Sequence, residues 1–139
     1  MCDEIRKFFD TFEQSNAAGD IDRLVALYAD PFMSADSTGV RVVKASEFRM
    51  ALPKRKQLFS AIGCTSTKLL SVEETPLDDR YVIARTVWRW EFSKPTDPIE
   101  LPSTYIIRRD GDTSQAVFYL TGDVMSVLRS RGLLPSATP

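Results

Sequence analysis

The sequence predicts an α+β domain in which helices come first and pack on a curved, mainly antiparallel sheet that follows. Three observations carry this expectation. Apolar residues recur at helical spacing in three stretches before Gly63. From Cys64 onward the period changes to two, in segments rich in Val, Ile, Thr and aromatic residues. Those later segments are joined by short turn-forming stretches, the connection that consecutive antiparallel hairpins use.

Ile5, Phe8, Phe9 and Phe12 stand at i, i+3, i+4 and i+7 while Glu4, Arg6, Lys7, Asp10 and Glu13 fill the opposite face, so a first helix is expected over residues 4–16. Asn16-Ala17-Ala18-Gly19 interrupts the pattern. Asp20 then caps a second helix carrying Ile21, Leu24, Val25 and Tyr28, which Asp30-Pro31 ends. Residues 32–36 and 40–43 read as short extended pieces around the turn Ser37-Thr38-Gly39. In the third helix Ser46 is the expected N-cap, Phe48, Ala51, Leu52, Phe59 and Ile62 form one stripe, and Gly63 is the stop. Pro53 removes an amide donor from this run and predicts a kink or a break there.

Strands are expected over residues 65–74, 81–92, 99–109 and 114–121. Their connectors are Pro76-Leu77-Asp78-Asp79, Lys94-Pro95-Thr96-Asp97-Pro98 and Asp110-Gly111-Asp112, which imply a meander. Asp123 caps a last short helix that turns Val124, Val127 and Leu128 inward and ends at Gly132. One domain is expected over residues 1–135, with residues 136–139 as a flexible tail.

A chain of 139 residues is long enough to bury a core without disulfides, and 43% hydrophobic with 27% charged residues is ordinary globular composition. Eighteen Lys and Arg against nineteen Asp and Glu leave a formal charge of −1, so no overall field draws the chain to nucleic acid or to an anionic membrane. The acidic start Met1-Cys2-Asp3-Glu4, without a basic and then apolar leader, and two cysteines in all give the expectation of a reducing, cytoplasmic setting. The chain contains no histidine, which removes Ser-His-Asp and Cys-His nucleophile pairs, histidine metal sites and imidazole acid–base work. No spaced set of acids forms a calcium loop and no glycine-rich loop cradles a phosphate, so neither a metal nor a cofactor is expected.

The segment from Asn16-Ala17-Ala18-Gly19-Asp20 through Leu27-Tyr28-Ala29-Asp30 resembles the helix pair that opens the nuclear transport factor 2-like superfamily, a cystatin-like α+β cone that includes SnoaL-like cyclases and ketosteroid isomerases. The resemblance covers residues 4–122 in element order. The closing stretch from Asp123 to Pro135 is similar to the tail of a bacterial SnoaL-like family without an assigned function. What the resemblance implies is a helix-to-sheet cavity and a homodimer. The fold does not choose the function, because the superfamily supports isomerases, dehydratases, epoxide hydrolases, cyclases and non-catalytic association modules.

By the same resemblance, Asp36 falls where a ketosteroid isomerase carries its proton-shuttling aspartate, Phe12 where it carries a tyrosine, and Tyr105 near its protonated carboxylic acid. Tyr105 keeps a hydroxyl donor; a one-residue shift of alignment would put Thr104 or Ile106 there instead. The alternative for Asp36 is a solvated turn residue ahead of Ser37-Thr38-Gly39. Trp88, Trp90 and Phe92 share a strand face with Val82, Ala84 and Thr86, either as a cavity wall or as plain core. Arg55 extends the third helix's apolar stripe toward Phe59, where it would bind a carboxylate or phosphate; beside Lys54 and Lys56 it also fits a solvated basic turn.

These residues define the expected function: a homodimeric, small-molecule-binding domain for an apolar or aromatic ligand. Asp36 and Tyr105 are its candidate catalytic pair for cofactor-free acid–base chemistry, and a non-catalytic association module is the alternative. Its expected pocket is bounded by Phe12, Tyr28, Phe32, Met33, Phe59, Trp88, Trp90 and Tyr105, with Arg55 at its edge. The dimer contact is expected on the outer sheet face through Tyr81, Ile83, Val87 and Arg89.

Overall fold

The structure, a computed structural model, describes residues 2–93 and 96–133. The expected tail at residues 136–139 and part of the 94–98 connector lie outside the described residues.

Helix α1 (Asp3–Ala18) turns Ile5, Phe8, Phe9 and Phe12 inward and ends on Gly19, whose φ of 67° is the left-handed conformation that glycine adopts at no steric cost. Helix α2 (Ile21–Ala26) is capped by the Asp20 carboxylate, which accepts the Arg23 amide at 3.1 Å. It is shorter than the spacing predicts. Tyr28 opens strand β1 (Tyr28–Asp36) instead of closing the helix, and Asp30-Pro31 lies inside that strand. Two contacts override the helical period: the Tyr28 ring packs on Phe32 and Phe48, and the Gln115 amide donates to the carbonyls of Ala26 and Tyr28.

A tight turn returns the chain as β2 (Gly39–Val43), and α3 (Ala45–Ile62) follows without interruption at Pro53. Proline is tolerated because Pro53 and Arg49, whose carbonyl loses its helical donor, both stand at exposed positions where water replaces the bond. Ala51 is likewise exposed, so it leaves the expected buried stripe, which Leu52 and Ile62 keep. Ser46 lies within the first turn rather than at the cap. The helix start is held by the Glu47 carboxylate, which accepts the Lys44 amide at 3.2 Å, and by the Asp30 carboxylate, which accepts the Ala45 amide at 2.9 Å.

The second half is the expected meander: β3 (Cys64–Pro76), β4 (Tyr81–Phe92), β5 (Ile99–Arg108) and β6 (Gln115–Thr121), then α4 (Val124–Ser130), capped by Asp123. The six strands form one sheet in the order β2-β1-β6-β5-β4-β3, antiparallel except where β1 runs parallel to β6. Register shifts within β3 and between Ile106 and Ile107 break the regular pleat and bend the strands, the usual effect of a bulge. The core lies between α1 and the inner face carrying Val82, Ala84, Trp88, Leu101, Tyr105 and Ile107, with Leu128 of α4 fully buried in it.

Candidate functional site

The aromatic residues that the sequence assigns to an open pocket pack mostly against each other. Phe9 meets Tyr105 and Trp88 edge-on at centroid distances of 5.4 and 6.3 Å, and Phe12 lies 5.2 Å from Trp88. Tyr28, Phe32 and Phe48 form a second cluster with separations of 4.6 to 5.2 Å. What remains between them is a cavity of about 40 Å³, lined by Phe12, Arg55, Thr67, Trp88, Trp90, Leu101, Ser103, Tyr105, Tyr119 and Thr121 among others. That volume suits a single water and not an organic molecule.

The polar groups around this cavity are tightly arranged. Thr86 Oγ1 accepts the Trp88 indole N–H at 3.0 Å and donates toward Ser103, whose carbonyl lies 2.9 Å away, so the indole is locked in place by a buried network. The Tyr105 ring lies 4.9 Å from that of Tyr119, tilted by 35°. Burial pushes the Tyr105 and Tyr28 phenols well above the usual tyrosine range; the negative forms of Tyr28 and Tyr119 add to the rise at Tyr105 and that of Tyr119 to the rise at Tyr28, while the positive charge of Arg55 opposes both. Both are therefore neutral hydrogen-bonding hydroxyls at any ordinary pH.

Ligand-sized space lies one layer further out. A groove of about 880 Å³ runs between the end of α1, α2, α3 and the start of β3, within the range of small-molecule sites. Its floor is made of small residues: Asn16, Ala17, Ala18, Gly19, Ser60, Cys64, Thr65 and Ser66. Leu24, Leu52 and Phe59 give it apolar wall, and Glu13, Arg55 and Lys56 are its charged members. Arg55 and Thr67 line both the groove and the inner cavity, so the two spaces meet at that pair. The guanidinium of Arg55 lies over the Phe59 ring at 5.0 Å, and Phe59 in turn meets Trp90 edge-on at 4.8 Å. Asn16 fixes Thr67 through a 3.2 Å hydrogen bond to its hydroxyl. Burial raises the Cys64 thiol, which donates to the Ser66 carbonyl, so it stays protonated at neutral pH.

Of the expected site residues, Phe12, Arg55, Trp88, Trp90 and Tyr105 reach the inner cavity and Phe59 joins Arg55 on the groove. Tyr28 and Phe32 are buried behind them, in contact with the tyrosine cluster but lining neither space. Met33 is a correction. It alternates with Phe32 along β1, so it points to the outer sheet face, where it is 41% exposed.

Asp36 is the second correction. Its carboxylate is exposed and accepts both the amide and the hydroxyl of Thr38, at 2.8 and 2.5 Å, bonds that hold it below the usual carboxylate range. A base in the cavity needs the opposite: burial, a raised pKa and a place on the lining. Asp36 is an Asx-turn residue at the β1–β2 corner.

The sequence reading overlooked Thr67, Ser103, Tyr119 and Thr121. Ser103 could be found by phase, since it shares the inward parity of Tyr105, and Thr67 pairs with Trp90 across the β3–β4 ladder. Tyr119 is hidden by the bulge at Val117, which shifts the parity set by the inward Ala116.

The profile of the NTF2-like protein family DUF6841 matches residues 3–133. The chain belongs to this family. None of the curated proteins matches it. An NTF-2 like protein of unknown function from Shewanella oneidensis MR-1 superposes with a TM-score of 0.71 at 18% identity, over 87% of this chain and 98% of that one. An NTF2-like protein with a cystatin-like fold from Novosphingobium aromaticivorans gives 0.68 at 16% identity, over 96% and 88%. A putative calcium/calmodulin dependent protein kinase II association domain from Xanthomonas campestris gives 0.66 at 14% identity, over 86% and 84%. At such identities the likeness is one of fold, and this NTF2-like chain shares the helices-then-sheet architecture of all three. No helix among the described residues is long and apolar enough to cross a membrane.

Proposed function

We propose that this NTF2-like chain is a small-molecule-binding domain whose ligand lies in the groove between α1, α3 and β3. The observation that carries the reading is the meeting of the two spaces at Arg55 and Thr67. A ligand in the groove gains apolar contact with Leu24, Leu52 and Phe59, and a polar end reaches the edge of the tyrosine cavity. Acid–base catalysis through Asp36 is not part of this proposal, because that carboxylate faces solvent. The test is native mass spectrometry of gently purified protein, followed by a melting-temperature and tryptophan-fluorescence screen of small aromatic compounds. A retained or added ligand that Ala18→Leu expels supports the groove; the absence of any ligand response in the whole screen would overturn it.

A second reading, a homodimeric association module, is favoured by the outer sheet face. Val42, Met33, Phe118, Ile106 and Ile83 stand side by side across five strands, and Val40, Ala35 and Leu120 form the next row. Met33, Val40, Val42 and Leu120 are each more than 40% exposed, an apolar surface that a second copy would cover. The row runs further toward β1 and β2 than the expected contact at Tyr81, Ile83, Val87 and Arg89. Sedimentation should give a dimer at micromolar concentration and a monomer for Met33→Asp with Leu120→Glu; a wild-type monomer would remove this reading.

A further inference from the structure

We infer that the groove selects a compact aryl carboxylic acid whose carboxylate is clamped by Arg55, an inference that rests on the groove being the ligand site. Arg55 is the one charged side chain among the described residues that line the inner cavity, and it also lines the groove. The ion pairs of the described residues include Arg49 with Asp22, Lys68 with Glu91 and Arg80 with Asp110, and none of those seen there pairs a carboxylate with Arg55. The guanidinium lies over the face of the Phe59 ring. This cation–π contact engages none of the guanidinium N–H groups, and their edge is the fork that grips a carboxylate through two parallel hydrogen bonds.

The surroundings narrow the ligand further. The charge of Arg55 is felt at the phenols of Tyr28 and Tyr105, so it acts toward the interior as well as toward the groove, where neutral hydroxyl donors add to its pull on an anion. Along the groove, Arg55 and Lys56 face a single carboxylate, Glu13, which leaves one uncompensated positive charge. That balance fits a monoanion better than a phosphate dianion, which Glu13 would repel. Beyond the clamp, the Phe59, Leu52 and Leu24 side chains offer a slot for a ring.

The test is calorimetric titration of 3-phenylpropionate, its neutral amide 3-phenylpropanamide, and 2-phenylethyl phosphate into wild type, Arg55→Gln, Arg55→Lys and Lys56→Gln. Wild type should bind the acid at least tenfold more tightly than the amide. Arg55→Gln should bring the acid down to the amide's affinity while leaving the amide unchanged. Arg55→Lys, which keeps the charge and loses the fork, should recover only part of the preference, and Lys56→Gln, which removes the groove's surplus positive charge, should lower the preference by less than Arg55→Gln does. Near-ultraviolet dichroism confirms that each variant is folded. Equal binding of acid and amide by wild type, or an undiminished preference in Arg55→Gln, overturns the clamp and leaves the groove as the ligand site. Tighter binding of the phosphate overturns the carboxylate assignment. Failure of all three probes to bind overturns the aryl-acid clamp, while the groove reading falls only if the wider compound screen also gives no response.

Discussion

The two halves of α1 face the same sheet and produce opposite results. Its first three turns carry Ile5, Phe8, Phe9 and Phe12, whose rings interlock with Trp88 and Tyr105 until about 40 Å³ is left. Its last turn carries Ser15, Asn16, Ala17 and Ala18, and there the space widens to the groove of about 880 Å³. Side-chain volume, more than backbone position, decides where a cone of this kind is solid and where it is open. An aromatic-rich interior is thus a filled interior, and the open space is found next to alanine, glycine and serine.

This contrast can be broken by exchanging the volumes. Phe9→Ala removes a 1% exposed ring that touches Phe8, Trp88 and Tyr105, and should cost about 3–5 kcal/mol in urea denaturation. Ala18→Leu in the exposed groove should change stability by no more than about 0.5 kcal/mol. Similar costs for the two would mean that the interior is not the close-packed region.

A smaller effect sharpens the same comparison through pH. Burial raises the Tyr28 and Tyr105 phenols above their unfolded value, so their contribution to stability is complete below about pH 10 and is lost as pH rises from there toward the folded values. Alkaline titration followed by tyrosinate absorbance and near-ultraviolet dichroism should show these two ionising only as the fold is lost. Their ionisation in a folded protein would place them in contact with water.

The smallest effect belongs to Asp36. Its Thr38 hydrogen bonds depress the folded pKa, so the stability they add is present above the unfolded pKa and disappears as pH falls through the folded one. Asp36→Asn should therefore melt slightly below wild type at pH 7 and level with it near pH 2, with groove binding unchanged at both. A loss of ligand affinity in this variant would reconnect the β1–β2 corner to the site.

The fold was legible because its signals are local: the Phe8-Phe9-Phe12 spacing, the Asp20 and Asp123 caps, the glycine stops and the period-two strands all act within a few residues. The failures are non-local. Tyr28 has helical spacing but answers to Phe48 and Gln115, and Pro53 is harmless only because its turn is exposed. Of the expected pocket residues, Arg55, Tyr105 and the tryptophans lie along the inner cavity, where their strand and helix phases put them. Whether such residues enclose a void depends on how their rings interlock, which spacing does not encode. Asp36 was read through a resemblance of position, and its nearest partner in space is the adjacent turn.

The parallel pairing of β1 with β6 sets the order in which this chain can assemble. Gln115 reaches back to the Ala26 carbonyl across 89 positions of sequence, and Ala116 donates its amide to Leu27 at 2.8 Å. Until β6 arrives, β1 and β2 are a lone hairpin, a structure with little stability of its own in water. The β3–β6 meander, by contrast, zips through short connections. Nucleation is therefore expected in the meander, with loop closure onto β1 coming late and limiting how fast the domain becomes native.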